Sequence, residues 1–271
     1  MPLRLDASFR ERIAGADRAL IGMWACAGSP LVTEVAAGSG LDWLLIDMEH
    51  SANSLESVLI QLQVAAAYPI APVVRVPSND VVAIKQVLDL GAQNVLVPMV
   101  SSAEEARAAV RAVRYPPEGV RGVGSALARS ARWNRVDGYL HDSARHTSLT
   151  VQIETAAAVD RAAEIAAVDG VDAVFVGPSD LSASMGLLGQ QTHPDVLSAV
   201  GRVFTAVEAA GKPVGVNAFD PAAADAYIAQ GAGFVAVGAD VALLARASEA
   251  LAARFIPAPG DGEASGERAS Y

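Results

Sequence analysis

Lysine and cysteine are the scarce residues of this chain of 271 residues. Only two of its 20 basic residues, Lys85 and Lys212, are lysines, and the others are arginines. The single cysteine excludes an intrachain disulfide and a zinc site built from several cysteines of one chain. No apolar run approaches the roughly 18 residues of a membrane span, and residues 1–20 lack the apolar core of a secretory signal. The sequence therefore predicts a cytoplasmic protein.

Positive charge is also in deficit. The chain has 30 acidic and 20 basic residues, a formal net charge of −10 at pH 7. The phosphates of nucleic acids and of anionic membrane surfaces repel such a chain, so we expect neither as a partner. With 52% hydrophobic residues the chain has enough apolar surface for a folded core, which excludes disorder of the whole chain.

Short apolar runs alternate with alanine-rich segments of helical periodicity. The runs are continuously apolar, which is typical of parallel strands covered on both faces. We predict strands at residues 19–25, 43–49, 72–76, 94–100, 149–154, 173–177, 213–217 and 234–238, and helices at 80–90, 102–113 and 221–230 among others. Eight strands, each followed by a helix, predict an α/β fold, a single-domain (β/α)₈ TIM barrel. An open doubly wound sheet is disfavoured because no G-x-G-x-x-G motif follows an early strand.

Two segments depart from this alternation. Residues 115–145 form a long insertion between the fourth and fifth strands, rich in glycine and arginine, and we expect an ordered functional loop or a packing arm there. Residues 257–271 have the composition of a linker, which predicts a disordered tail. The predicted barrel domain therefore spans residues 1–256.

Polar residues concentrate where the predicted strands end. In a (β/α)₈ barrel the active site forms at that end. Taken singly, each residue has an ordinary explanation, since an aspartate can cap the next helix and an arginine can pair with an acid. Their occurrence together at one end favours a site. The candidates are Trp24, Asp47, Glu49, His50, Arg75, Gln152, Glu154, Gly177, Ser179, Asp180, Asn217 and Asp240.

The types of these residues narrow the chemistry. Two carboxylates on successive strands, Glu154 and Asp180, are the hard oxygen ligands that Mg²⁺ or Mn²⁺ prefers, and they leave coordination positions for a bidentate 2-oxo acid. Arg75 offers a planar pair of donors to a carboxylate or an enolate oxygen. In the turn at 177–180, backbone N–H groups of Ser179 and Asp180 can face a ligand carboxylate.

A base is present, and a suitably placed lysine is not. His50, with Asp47 or Glu49 nearby, can accept a proton near neutral pH. A Schiff-base aldolase needs a lysine that faces the barrel mouth. Lys85 lies within a predicted helix, and Lys212 precedes the seventh strand at the opposite end. The residues therefore favour proton abstraction next to a carbonyl, or aldol cleavage, through a metal-stabilised enolate.

From about residue 20 to 255 the sequence resembles the HpcH/HpaI family of class II pyruvate aldolases. The matching stretches are GLDWLLIDMEHS, PVVRVPSND, IKQVLDLGAQNVLVPMV, RYPPEGVRGVGSALARSARWNR, VQIET, GVDAVFVGPSDLSASMG and GFVAVGADVALLARA. The resemblance implies a barrel assembled as a hexamer, a dimer of trimers, with the last helix exchanged between subunits. It also implies a divalent metal ion (Mg²⁺, Mn²⁺ or Co²⁺). The implied reaction cleaves 4-hydroxy-2-oxoheptanedioate, or a similar acid, to pyruvate and an aldehyde such as succinate semialdehyde.

The same resemblance implies roles for residues of this sequence. They are Glu154 and Asp180 for the metal, Gln152 and the Ser179 backbone for the 2-oxo acid, Arg75 for the enolate charge, and His50 with Asp89 for the proton. Asp89 would raise the basicity of His50 from a neighbouring subunit, whereas its position alone indicates only a surface residue at a helix end. Trp24 is expected in the pocket wall or in the core.

Two alternatives stay open. The GPSD turn is similar to that of related aldolases that cleave 2-dehydro-3-deoxyglucarate, although the GSALARSARWNR stretch favours the heptanedioate reaction. The other alternative is a barrel that binds 2-oxo acids without catalysis. Two departures bear on the aldehyde: Met48 stands where the family often has glycine, and the loop at 217–220 differs from the family pattern.

Overall fold

The eight predicted strands are present and close into a parallel barrel. The computed structural model describes residue 3 and residues 5–257. Each strand pairs with its neighbours in chain order, and the last pairs with the first. The strands are β1 (Leu20–Ala25), β2 (Trp43–Asp47), β3 (Ala71–Arg75), β4 (Asn94–Val97), β5 (Ser148–Ile153), β6 (Ala173–Val176), β7 (Val214–Asn217) and β8 (Phe234–Ala239). The (β/α)₈ prediction is therefore confirmed.

Helices cover the outside of the barrel. Asp80 accepts hydrogen bonds from two backbone N–H groups at the start of the helix Val81–Asp89, and Asp220 accepts one at the start of the helix Pro221–Ala229. Within the described residues the helices are α1 (Phe9–Ala14), α2 (Pro30–Ala37), α3 (Leu55–Ala65), α4 (Val81–Asp89), α5 (Ala103–Val113), α6 (Tyr139–His146), α7 (Ala156–Asp160), α8 (Ala162–Ala166), α9 (Pro178–Ser184), α10 (Pro194–Ala209), α11 (Pro221–Ala229) and α12 (Asp240–Phe255).

Aromatic rings fill the lower part of the barrel. Trp43, Phe175 and Phe234 point into the interior and pack edge to face or stacked, with centroids 5.8 to 6.4 Å apart. Phe9 of α1 packs on Trp43 and Phe234 from below, and its backbone N–H donates to Asn94 Oδ1 at 2.7 Å. The four rings form a closed aromatic floor at the amino-terminal end of the strands.

Two glycines make room for this floor. A Cβ on Gly22 would overlap the Trp43 ring, and a Cβ on Gly215 would overlap the Phe234 ring. Both glycines lie in strands, where glycine is otherwise disfavoured. The large rings and the small residues therefore form complementary pairs within the barrel.

The insertion at 115–145 is ordered and packs on the barrel wall. It contains a short 3₁₀ helix, Arg129–Ala131, and all of α6 except its last residue, His146. Arg121 is fully buried here, with its guanidinium carbon 4.6 Å from the centroid of the Tyr115 ring. The prediction of an ordered segment is thus confirmed.

The carboxyl-terminal helix α12 is barely covered. Apart from Asp240 at its start, none of its described residues is buried, and Leu244, Leu251 and Phe255 are 61 to 72% exposed. The predicted tail at 257–271 lies outside the described residues except for Pro257. No helix within the described residues is long and apolar enough to cross a membrane.

Candidate active site

A cavity of about 580 Å³ opens at the carboxyl ends of the strands. Most of the residues predicted for a site line it. These are Trp24, Asp47, His50, Arg75, Gln152, Gly177, Ser179, Asp180 and Asn217. The sequence pattern thus located the cavity correctly, because parallel strands bring their carboxyl ends to one rim.

Glu154 lies behind this wall, fully buried after β5. Its Oε1 accepts a hydrogen bond from the backbone N–H of Met99 at 2.7 Å, and its Oε2 accepts one from Gln152 Nε2. Gly177 leaves the space that this contact needs, since a Cβ there would lie 2.7 Å from both Gln152 Nε2 and Glu154 Oε2. The carboxylate is therefore held in one orientation beside the cavity.

Negative charge around Glu154 is poorly compensated. The pKa of Glu154 is raised to about 8, chiefly by burial and to a smaller extent by the carboxylates of Glu49 and Asp180. The hydrogen bond from Met99 and the charge of Arg75 oppose this rise. Gln152 donates its amide N–H to Glu154, so its Oε1 points the other way, and this buried oxygen has no hydrogen-bond partner. Two carboxylates and an unpartnered acceptor oxygen fit a hard cation with its bound water.

The described residues offer this cation only a partial protein shell. Between residue 5 and residue 257 no group of three or more His, Cys, Asp or Glu side chains is arranged to hold a metal ion. Glu154 and Asp180 would thus supply two ligands, and water and substrate oxygens the remainder. Mg²⁺ and Mn²⁺ are often bound in this way beside a substrate.

Arg75 is the fixed cation of the cavity. Its side chain is 4% exposed, with Nε 2.8 Å from Asp47 Oδ1 and Nη1 2.7 Å from Glu49 Oε2. The guanidinium also lies over the Trp24 ring, 4.3 Å from its centroid. Nη2 makes no hydrogen bond to any described residue. It is the donor that Arg75 can offer to a ligand.

His50 stands at the mouth of the cavity, with its imidazole 63% exposed. Its Nε2 lies 3.9 Å from Glu49 Oε2, whereas Asp47 contacts only its backbone N–H, at 3.2 Å from Oδ2. Burial raises the pKa of Glu49, and the charges of Arg75 and His50 oppose that rise. Of the two acids that the sequence offered as partners of the imidazole, Glu49 is the one near it.

The turn after β6 begins the short helix α9. Ser179 and Asp180 occupy its first turn, with Pro178 at the first helical position. Their backbone N–H groups have no acceptor among the described residues, as is usual for the first turn of a helix. Both residues line the cavity, as the sequence predicted.

Asp89 lies elsewhere in the same chain. It is the last residue of α4, next to the start of β4 and hence on the amino-terminal side of the barrel. Its Oδ1 accepts a hydrogen bond from Arg121 Nη2 at 2.9 Å. Lys85 and Lys212 do not line the cavity either. Lys212 donates instead to the carbonyl of Val168, 2.7 Å away.

Part of the cavity wall was not predicted, namely Cys26, Phe175, Ala239, Val241 and Ala242. Pro178 and Phe219 also line the cavity, and they belong to the turn at 177–180 and the loop at 217–220 that the sequence had indicated. An apolar residue at the end of an apolar strand carries no separate signal in a sequence. Met48 is outside the lining and packs against the core behind the strands. Asp240 binds the backbone N–H groups of Cys26 and Ala27, a structural role.

Comparisons with known proteins agree with this geometry. A family model described as HpcH/HpaI aldolase/citrate lyase matches residues 20–247. A protein from Salmonella dublin, named 4-hydroxy-2-oxo-heptane-1,7-dioate aldolase, is 53% identical over 240 residues, which are 89% of this chain and 91% of that protein.

Solved structures of similar proteins have the same fold. An HpcH/HpaI aldolase/citrate lyase family protein from Burkholderia cenocepacia J2315 superposes with a TM-score of 0.87 and 40% identity, over 91% of this chain and 98% of that one. An HpcH/HpaI aldolase from Desulfitobacterium hafniense DCB-2 gives a TM-score of 0.86 and 29% identity, over 95% and 100%.

Proposed function

Because the chain belongs to the HpcH/HpaI aldolase/citrate lyase family, we propose that it is a divalent-metal-dependent aldolase. The proposed substrate is 4-hydroxy-2-oxoheptanedioate or a similar 4-hydroxy-2-oxo acid, which is cleaved to pyruvate and an aldehyde. The observation that carries the proposal is a cavity lined by Asp180 and Arg75, with the carboxylate of Glu154 buried beside it. The relative from Salmonella dublin bears the name of this activity.

Glu154 and Asp180 would hold the cation, which is Mg²⁺, Mn²⁺ or Co²⁺ in our proposal. A bound divalent ion supplies Lewis-acid stabilisation of negative charge on the carboxylate and keto oxygens of a 2-oxo acid. The buried, poorly compensated carboxylate of Glu154 and the free oxygen of Gln152 support this assignment.

The polar side of the cavity binds the 2-oxo acid in this proposal. The first-turn N–H groups of Ser179 and Asp180 donate to its carboxylate. Arg75 donates Nη2 to the keto oxygen, on which negative charge develops during cleavage. Since Asp47 and Glu49 fix the other two nitrogens, the donor is oriented before the substrate arrives.

His50 removes the proton of the C4 hydroxyl group. Its neutral imidazole accepts this proton while the C3–C4 bond breaks, and the electron pair of that bond forms the C2–C3 double bond of the pyruvate enolate. The aldehyde is released, and a proton is then delivered to C3. Glu49, 3.9 Å from the imidazole, stabilises the imidazolium form that results.

The proposed assembly is a hexamer, a dimer of trimers, in which α12 packs on a neighbouring subunit. The exposed apolar side chains of α12 support this, because the described residues leave Leu244, Leu251 and Phe255 61 to 72% exposed. Asp89 lies on the amino-terminal side of its own barrel, so only a second copy can bring it to His50. We therefore propose that the site is shared between subunits.

The test of the function is pyruvate release from 4-hydroxy-2-oxoheptanedioate, followed with lactate dehydrogenase. Activity should fall to background with EDTA and return with Mg²⁺, Mn²⁺ or Co²⁺. Activity that is unchanged by EDTA and is lost when borohydride reduces an imine between the enzyme and pyruvate would exclude the metal-dependent reaction. The names of the relatives do not favour 2-dehydro-3-deoxyglucarate as the substrate. A chain that binds pyruvate but cleaves neither acid would support the non-catalytic alternative.

A further inference from the structure

Trp24 and Asn217 form a hydrogen bond across the cavity wall. The Trp24 Nε1 lies 2.6 Å from the Asn217 Oδ1, although the two residues belong to β1 and β7, on either side of β8. An indole N–H can only donate, so the atom of Asn217 that faces it must be the amide oxygen. The amide nitrogen, Nδ2, is therefore turned away from Trp24. It makes no hydrogen bond to any described residue.

The surroundings of this amide differ from the rest of the cavity. The strands β2 to β6 carry the charged and polar groups, which the proposed function assigns to the 2-oxo acid. The arc from β7 through β8 to β1 is lined by Asn217 and by mostly apolar side chains, those of Trp24, Cys26, Phe219, Ala239, Val241 and Ala242. One free amide donor thus stands among apolar side chains, on the side left for the aldehyde portion of the substrate.

Trp24 connects the two sides. The face of its ring lies under the Arg75 guanidinium, whose carbon is 4.3 Å from the ring centroid, and the N–H at the ring edge donates to Asn217. The ring is 7% exposed and also packs edge to face on Phe175, with centroids 6.3 Å apart. A ring held in this way cannot rotate freely, so the plane of the Asn217 amide is fixed before a ligand binds.

We propose that Asn217 determines specificity for the aldehyde, by donating a hydrogen bond from Nδ2 to an oxygen that the aldehyde carries beyond its carbonyl carbon. The substrate class is then an oxygenated aldehyde, with a hydroxyl or a carboxylate group, rather than a plain alkanal. The carbon chain packs on Phe219 and Val241. Trp24 is a positioning residue for this donor. The inference rests on the proposed function and deepens it.

The physical basis is the asymmetry of polar recognition. A site that is built to hydrogen-bond a substrate oxygen discriminates strongly against an analogue that lacks it, because its polar group is then left without a partner. An apolar pocket of the same shape discriminates much less between the two. Replacing Asn217 by an apolar residue of similar size should therefore abolish the preference and leave the pocket filled.

The experiment compares aldehydes of matched size in condensation with pyruvate. Glycolaldehyde is paired with propanal, and succinate semialdehyde with pentanal, so that the pairs distinguish a hydroxyl from a carboxylate oxygen. For each pair we measure the ratio of kcat/KM values. The ratio is obtained from one preparation, so it does not depend on how much of a variant is folded.

The native chain should favour the oxygenated member of at least one pair by about tenfold or more. Asn217→Leu should lower that ratio to about one. Asn217→Asp, which has the same shape without the donor, should lower the ratio for succinate semialdehyde and pentanal, because its carboxylate cannot donate to a carboxylate oxygen. Trp24→Phe, which lacks the N–H, should lower it in part. If Asn217→Leu turns over neither aldehyde, Asn217→Ala supplies the ratio.

An unchanged ratio in these Asn217 variants, or no preference in the native chain, would overturn the proposal. Failure of the proposed function itself is seen separately, in the exchange of the pyruvate methyl protons with D₂O. This exchange needs no aldehyde. If the native chain with Mn²⁺ does not catalyse this exchange, the proposed function is refuted. If the methyl protons exchange and the kcat/KM ratio is unaffected by the variants, only the proposed role of Asn217 is refuted.

Discussion

The Asp47 carboxylate accepts a hydrogen bond from Arg75 Nε at 2.8 Å and also binds the backbone N–H groups of Glu49 and His50. One buried acid therefore fixes both the guanidinium and the loop that carries the imidazole. The two residues lie opposite each other on neighbouring strands, since Asp47 of β2 is in register with Arg75 of β3. The pairing of the strands thus sets the geometry of the site.

Removal of the Asp47 carboxylate should destabilise the fold. In Asp47→Ala the buried guanidinium of Arg75 keeps only Glu49 as a partner, and we expect the free energy of unfolding to fall by about 3 kcal/mol. Urea denaturation measures this. The control is Asp160→Ala, which breaks an exposed pair with Arg202 of similar length, 2.9 Å, and should change stability by less than about 1 kcal/mol. Equal effects of the two variants would contradict the prediction.

Metal binding should depend on Glu154. We expect Glu154→Gln to weaken Mn²⁺ binding by about 100-fold, because a neutral amide replaces one of only two anionic ligands. Electron paramagnetic resonance of free Mn²⁺ gives the dissociation constant without any assay of activity. Glu164→Gln, an exposed change in α8, is the matched control. Native affinity in Glu154→Gln would exclude this residue as a ligand.

The same substitution, glycine to alanine, should have opposite effects at two positions. Gly22→Ala places a methyl group against the buried Trp43 ring, and we expect a loss of about 1 to 3 kcal/mol in stability. Gly201 lies within α10 with open space around it, so Gly201→Ala should stabilise the chain by about 0.5 to 1 kcal/mol through helix propensity. Thermal unfolding of both variants checks the signs. A neutral Gly22→Ala would show that the floor can adjust.

Two inactive variants should complement each other if the site is shared. A hexamer mixed from Asp89→Ala and His50→Ala subunits contains some interfaces at which both residues are intact. We expect partial recovery of pyruvate release after subunit exchange. Each variant incubated alone is the control. Recovery should be absent from the mixture if Asp89 acts only within its own chain, provided that exchange itself is verified with labelled subunits.

Cys26 should react slowly although it lines the cavity. Burial raises the pKa of its thiol to about 12, and the carboxylates of Asp47 and Asp240 contribute to the rise. At pH 8 its thiolate fraction is then about a thousandfold below that of an ordinary cysteine, and alkylation by iodoacetamide should be slowed in proportion. The urea-unfolded chain, with an ordinary thiol, serves as the reference. Comparable rates in the two states would contradict this.

The same shift in pKa has a consequence for stability at high pH. The unfolded chain loses the Cys26 proton near its ordinary value of 9.0, whereas the folded chain retains it until about 12. Above pH 9 the folded state therefore binds more protons than the unfolded state. The contribution of this group to the free energy of unfolding then decreases as the pH rises.

The sequence predicted all eight strands, but some of the predicted strands end several residues beyond the observed ones. The apolar run at 94–100 predicts a strand over its whole length, yet β4 ends at Val97. There the chain turns through Met99, whose φ of 58° is in the left-handed region, and its backbone N–H reaches Glu154. A local apolar pattern contains no information about this hydrogen bond, because the acceptor lies on another strand.

The polar part of the cavity was predictable because charged residues at the ends of apolar strands are conspicuous. The hydrogen-bond and ion-pair partners of these charged residues could not be predicted. Either Asp47 or Glu49 was expected near the imidazole of His50. Glu49 is the one that lies near it, and Asp47 binds the backbone and Arg75 instead. The hydrogen bond between Trp24 and Asn217 could not be predicted either, since 193 positions separate the two residues in the chain.

The aromatic floor has a consequence for the order of events during turnover. With Phe9, Trp43 and Phe234 closing one end of the barrel, both products of the proposed reaction share the mouth at the other end. In the proposed mode of binding the pyruvate half lies deepest, against the buried Gln152, and the aldehyde half lies towards Val241, which is 45% exposed. We therefore expect the aldehyde to depart before pyruvate. In steady-state kinetics pyruvate should then inhibit competitively with the substrate, and the aldehyde should not.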